Sequence, residues 1–206
     1  MILKGNNLKT IFIALDHGLG ISYFLHTKLA EKMLGEDVQL VFLVPGGLIP
    51  SLEKEFAHLD KVIFEDLREE QSREFEKTYL RRFQDLTEFI RRASADKKIP
   101  LTYVDTHRKR KIYEAGPRRK MLLKSLTPII QLLRINKLAR KLFRWAINLV
   151  QTNMYDDLFQ KYQPELIISH TAGWRLDKYL LREAVRRGIK SATIIVGWDN
   201  PSSQGL

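Results

Sequence analysis

Three apolar, β-rich runs at residues 10–15, 38–44 and 61–66 alternate with helical segments, and this order constrains the fold more than any other feature. The first run stops at Asp16-His17-Gly18-Leu19-Gly20 and the second at Pro45-Gly46-Gly47. Near-continuous apolar strands in a β-α-β-α-β order signal a parallel sheet covered on both faces. Helices are predicted over residues 21–34, with Gly35 as cap, and over 49–58. The pattern returns late in the chain, with a strand at 165–169, a helix at 175–187 capped by Gly188, and a buried strand at 191–197. Such a unit is a right-handed crossover. The expectation is one Rossmann-like α/β domain over residues 1–206, with helices on both faces of its sheet.

The middle of the chain reads differently. Phe75, Tyr79, Phe83, Leu86 and Ile90 recur at helical spacing and predict one long amphipathic helix over 69–95. Residues 101–105 offer a fourth strand, 107–124 a basic loop, and 131–150 a second long helix. The net charge of +11 is concentrated here. Residues 106–144 hold thirteen lysines and arginines against one acid, Glu114, and the remainder is close to neutral. A basic partner surface is therefore expected on a helical excursion at about 106–150. On the 131–150 helix, Arg134, Lys137, Arg140, Lys141 and Arg144 fall within an arc of about 120°, with the apolar residues, Phe143 and Trp145 among them, on the other side. That face suits the solvated side of a core helix, an anionic membrane surface, or nucleic acid. Nucleic acid is the weakest fit, because the aromatics do not interleave with the basic residues as a stacking platform requires.

Several classes are excluded. No apolar run approaches the ~18 residues of a spanning helix. The polar start, residues 1–9, lacks the apolar stretch of a secretory signal. Cysteine is absent, so there is no disulfide framework or thiolate site. A cytoplasmic protein, peripheral at the inner face of the cell membrane, fits these features. No G-x-G-x-x-G, P-loop or G-x-S-x-G pattern occurs, and the five histidines show no metal-ligand spacing. No metal is expected.

Ligands of open parallel sheets sit beyond the carboxyl ends of the strands, and three unusual clusters fall there. Asp16-His17-Gly18-Leu19-Gly20 places two ionisable groups before a helix start, so His17 or Asp16 is a candidate for proton transfer. Gly18 and Gly20 would let a ligand approach the backbone. The alternative is a tight turn in which Asp16 caps the helix. Ser169-His170-Thr171-Ala172-Gly173 offers His170 and Thr171 as cleft residues, the alternative being a histidine bonded to neighbouring backbone. Gly197-Trp198-Asp199-Asn200 offers Trp198, Asp199 and Asn200, where Asp199 or Asn200 alternatively begins a turn before Pro201.

The strand at 193–196 with Gly197-Trp198-Asp199-Asn200-Pro201-Ser202-Ser203-Gln204-Gly205 resembles the "strand, then S-W-D-N-x-[ST]-[ST]-K-G" segment of bacterial GT-B-type glycosyltransferases of surface polysaccharide and glycolipid assembly. The helix over 180–190 is similar to that family's "LLRAARRLGI" segment. Gly197 stands where the pattern has Ser, and Gln204 where it has Lys. The resemblance implies the acceptor-binding half of such an enzyme, transferring sugar to a membrane-associated glycan or lipid acceptor. The nucleotide-sugar donor would bind a C-terminal domain or separate donor-side chain, so no cofactor is expected here and no activity from this half alone. On this reading His17 or Asp16 is the proton-transfer group, with Gly18, Gly20, His170, Thr171, Trp198, Asp199 and Asn200 expected around the substrate. Arg134, Lys137, Arg140, Lys141, Arg144 and Trp145 would face the membrane. A nucleotide-sugar 2-epimerase-like domain is the rival enzyme, and a nucleic-acid or partner-binding module the rival outside enzymes.

Overall fold

A computed structural model of the chain describes residues 8–35, 37–94, 102–147, 152–171 and 176–194. The chain divides into two compact units, one formed by Met1–Glu74 with Gln151–Gln204, the other by Phe75–Val150.

The first unit holds the sheet. Its strands are β1 (Lys9–Ala14), β2 (Val38–Val44), β3 (Val62–Asp66), β4 (Leu166–Ser169) and β5 (Lys190–Thr193). All pair in parallel, in the order β3-β2-β1-β4-β5. This is the Rossmann-like α/β architecture that the strand pattern predicts. The chain steps outward from β1 to β3, then crosses back to lay β4 on the free side of β1. Between β1 and β4 the order reverses, and there the connections leave the strand ends in opposite directions and open a crevice.

The helices are, in chain order, α1 (Gly18–Ile21), α2 (Leu29–Met33), α3 (Ile49–Glu55), α4 (Glu69–Glu76) and α5 (Tyr79–Ala93). They continue with α6 (Thr102–Glu114), α7 (Pro117–Ser125), α8 (Thr127–Ile135), α9 (Lys137–Ile147), α10 (Asp156–Tyr162) and α11 (Asp177–Arg186). Phe12 to Leu15 and Leu40 to Val44 are fully buried, consecutive residues included, so both faces of the sheet are covered. Ile13, Phe42 and Phe64 pack with Phe24, Leu52 and Phe56 on one face. On the other, Phe12 meets Phe159 and Tyr162 of α10 at 5.7 and 6.0 Å between ring centroids.

Several expected helices need correction. The single helix over 21–34 is broken: α1 runs into a π-turn at Ser22–His26, and α2 restarts after Thr27. The Thr27 hydroxyl donates to the Tyr23 carbonyl and accepts from the Leu29 amide at 3.3 Å, competing with the backbone ladder. Gly35 is not a left-handed cap, since the segment ends at Leu34 in an extended conformation. Thr78 divides α4 from α5 in the same way, its amide and hydroxyl both donating to the Phe75 carbonyl. Asn136 divides α8 from α9, its side chain capping the Ala139 amide at 3.0 Å.

Further corrections concern element type and burial. No strand forms at 102–105, where α6 begins, and the basic stretch expected as a loop is helical in α6 and α7. Apolar residues there interleave with cations, so the strand and loop signals misled. β5 is an exposed edge strand rather than a buried one, because no described strand lies beyond it. Gly188 does cap α11, at φ +70°, with the Ile189 amide closing onto the Ala184 carbonyl.

The second unit has its own core, in which Phe89, Ile90 and Ala93 of α5 meet Leu123, Ile130 and Leu133 of α7 and α8. Among the described residues, no helix is long and apolar enough to cross a membrane.

Candidate functional site

Parallel pairing sets Ala14 of β1 beside Ser169 of β4. The residues that follow each strand therefore emerge side by side at the carboxyl edge, where the strand order reverses. After β1 come Asp16, which is buried, and His17, which is half-buried. After β4 come His170 and Thr171, both buried. His170 is 153 residues from His17 in sequence, and their rings meet edge to face with centroids 4.3 Å apart.

The hydrogen bonds define how the three polar side chains face one another. His170 Nδ1 lies 2.9 Å from the Ala14 carbonyl, which only accepts, so Nδ1 carries the hydrogen and Nε2 is the nitrogen turned to the other two. His170 Nε2 stands 3.2 Å from Asp16 Oδ1 and 3.2 Å from His17 Nε2. His17 is the N-cap of α1, its Nδ1 accepting from the Gly20 amide at 3.5 Å. The group thus sets one carboxylate oxygen and one imidazole nitrogen each 3.2 Å from His170 Nε2, with His17 as the member open to solvent. Each residue also offers one ligand atom within 4.8 Å of the others. Two imidazoles and one carboxylate are a donor set of the kind that holds a transition-metal ion. No sequence spacing could reveal that grouping.

One expectation about this loop changes. The helix cap is His17 rather than Asp16, and Gly20 packs against the His170 ring. A Cβ on Gly20 would lie 2.8 Å from His170 Cδ2 and Nε2, so only glycine admits the ring. At Gly18 a Cβ would meet nothing within 4 Å. Behind the trio, the Ser169 hydroxyl donates to the buried Asp177 carboxylate and accepts from the Thr171 amide at 3.3 Å. This holds the turn that carries His170. Thr171 Oγ1 is buried without a hydrogen-bond partner among the described residues. Trp198, Asp199 and Asn200, with Ala172 and Gly173, lie outside the described residues.

A cavity of about 450 Å³ opens beside the π-turn, lined by Tyr23, Phe24, Leu29 and Ile194 with Lys28 and Lys32 at its rim. Sequence reading missed it, since those residues look like an ordinary helix face. A π-turn widens a helix locally and is frequent at functional sites.

Other buried polar groups in this unit are structural. Glu183 accepts from the Thr152 hydroxyl at 2.8 Å and from the Met154 and Tyr155 amides at 2.7 and 3.2 Å, at the start of α10. Burial, reinforced by the negative charge of Glu183, pushes the Tyr155 phenol well above its ordinary range. It stays a donor to the Leu67 carbonyl at 2.8 Å.

In the helical unit, two of the five cations expected on one face make internal contacts. Arg134 pairs with Asp105 at 3.4 Å, and Arg140 donates to the carbonyls of Leu133 and Arg134 at the end of α8. Lys137 and Lys141 are exposed, and the side chain of Arg144 lies outside the described set. On α9, Leu138, Leu142 and Trp145 are 66, 57 and 64 % exposed. They form an apolar row at helical spacing that faces outward, while Ala139 and Phe143 pack against the core.

The class defined here is a Rossmann-like α/β protein with a His-His-Asp group at its switch point. No family description fits the chain, and neither curated proteins nor solved structures show significant similarity to it.

Proposed function

We propose that this chain is the acceptor-binding side of a glycosyltransferase that moves a sugar from a nucleotide-sugar to a membrane-associated glycan or lipid acceptor. The observation that carries the reading is the convergence of Asp16, His17 and His170 at the carboxyl edge between β1 and β4. Glycosyl transfer requires a base that takes the acceptor hydroxyl proton while the oxygen attacks the sugar carbon. His17 is the base, because it alone of the three is open to solvent and its Nδ1 holds the Gly20 amide only at 3.5 Å, a contact the acceptor hydroxyl can displace. His170 orients the His17 ring, and Asp16 compensates the positive charge as the proton arrives. The π-turn cavity, apolar with two lysines at its rim, suits an acceptor whose apolar part adjoins an anionic group. The donor nucleotide belongs to a further domain or a separate chain.

Peripheral attachment to an anionic bilayer is part of this reading. The exposed row Leu138, Leu142 and Trp145 flanked by Lys137 and Lys141 has the make-up of a helix lying in a lipid interface. Each lysine near such a surface adds about 1 kcal/mol.

The test is sugar incorporation in membranes of cells expressing the gene at its natural length, with a panel of labelled nucleotide-sugars. His17→Ala is expected to lower incorporation by roughly 100-fold or more, the usual worth of a general base. No incorporation above cells lacking the gene, or full activity in His17→Ala, sinks the reading. Loss on chelation and recovery with a divalent ion would reassign the trio to metal ligation.

A further inference from the structure

We propose that Arg108, Lys109, Lys120 and Lys124 form a binding site for a phosphate group in the helical unit. The site is separate from the switch-point trio and stands whether or not sugar transfer does.

The four cations surround a cavity of about 330 Å³, together with Tyr113 and Thr127. Helical spacing builds it: Arg108, Lys109 and Tyr113 share one side of α6, and Lys120 and Lys124 are one turn apart on α7. Thr127 opens α8 and closes the rim. The arrangement gathers like charges, which repel unless something neutralises them.

Among the described residues of the unit, no carboxylate does so. Between residues 102 and 147 the sequence holds two acids, Asp105 and Glu114. Asp105 faces Arg134, and Glu114 takes the Arg110 guanidinium at 2.7 Å. On the neighbouring α5, Asp85 pairs with Arg81 and Glu88 with Arg91. Among the described residues, none of the four cations lies within ion-pair distance of a carboxylate. Arg108 Nη1 is moreover buried without a hydrogen-bond partner among the described residues. A guanidinium N–H removed from water without an acceptor is costly, so this end of the Arg108 fork gains from any acceptor that reaches it.

The chemistry selects the ligand. A phosphate monoester or diphosphate carries about two charges and three or more acceptor oxygens, matching one guanidinium fork and several ammonium donors at once. A carboxylate, with one charge, would leave most of the cations unmatched. The phosphate can belong to a free phosphate ester or to a lipid headgroup; the recognition chemistry is the same.

Calorimetric titration of the full chain with inorganic pyrophosphate tests the site. Lys120→Gln/Lys124→Gln is expected to weaken binding about tenfold or more, and Arg108→Lys severalfold, because the fork is lost while the charge remains. Arg118→Gln/Arg119→Gln removes the same charge from exposed positions of α7 outside the cavity and should change affinity less than about twofold. Thermal unfolding checks that all variants fold. Flotation with vesicles of phosphatidic acid or phosphatidylserine, at equal charge in phosphatidylcholine, separates the sources. A phosphatidic acid preference that pyrophosphate competes away identifies a lipid headgroup, and pyrophosphate binding without that preference identifies a free ester. Equal losses in the Lys120/Lys124 and Arg118/Arg119 variants, or no pyrophosphate binding, overturn the proposal.

Discussion

In the sheet unit, buried charged groups are matched within the protein: Glu183 takes two amides and a hydroxyl, Asp177 takes Ser169, and Asp16 faces His170. In the helical unit the balance runs the other way. Four cations around one cavity lack an acidic partner among the described residues, and Leu138, Leu142 and Trp145 are turned to solvent. Gathering like charges is unfavourable, and so is exposing a large apolar row. The sheet unit pairs these groups internally and brings Asp16, His17 and His170 together at its switch point. In the helical unit, the four cations and the apolar row are not matched by groups among the described residues.

That contrast can be broken by mutation, and the largest effect is expected where internal matching is tightest. Glu183→Ala leaves two amides and a hydroxyl without their acceptor at the start of α10, and should cost about 3 kcal/mol in urea unfolding. A cost below about 1 kcal/mol would mean the network is not structural. Next comes Gly20→Ala, which drives a Cβ into the His170 ring and should cost roughly 1–3 kcal/mol. The His170 imidazole resonances should shift as the ring is displaced from the Ala14 carbonyl; unmoved resonances would show the site has slack.

In the helical unit, Leu138→Gln/Leu142→Gln should alter stability by no more than about 0.5 kcal/mol per site, since both are exposed. The same change should lower binding to anionic vesicles several-fold, and binding that survives intact would remove this row from the docking surface. The smallest effect concerns Asp157. Its slight burial favours the neutral acid, but the hydrogen bond and charge of Arg68 outweigh this and hold the carboxyl below its usual value. A depressed folded pKa gives stability that is present above the unfolded value, about 3.9, and lost as pH falls through the folded one. Asp157 is 64 % exposed, so solvent screens the pair to about 0.5 kcal/mol. Asp157→Asn should flatten the acid limb of stability below about pH 4 by that amount; an unchanged limb would show Arg68 contributes nothing there.

The legible parts of the chain were those governed by one-dimensional pattern. Residues 10–15 and 38–44 read as buried strands because consecutive apolar residues occupy both faces. Gly188 read as a cap because α11 ends there in a left-handed conformation. The helix breaks were not legible. Thr27, Thr78 and Asn136 sit inside helical periodicity, and each stops its helix by offering the backbone a side-chain partner. The outward turn of Leu138, Leu142 and Trp145 was also hidden. Periodicity shows that one side of a helix is apolar, but not whether that side meets a core.

Sequence alone determined the parallel sheet, the placement of Asp16 and His17 at the end of its first strand, and the concentration of positive charge between residues 106 and 144. Local patterning suffices for these, because strand burial and charge density are properties of contiguous residues. Only the tertiary structure decided that His170 stands 3.2 Å from both Asp16 and His17, and that Gly20 must be bare to admit it. It likewise decided which cations are spent internally and which remain around a cavity. Those facts depend on residues far apart in sequence meeting across β1 and β4, or across α6 and α7, and no spacing along the chain encodes such a meeting.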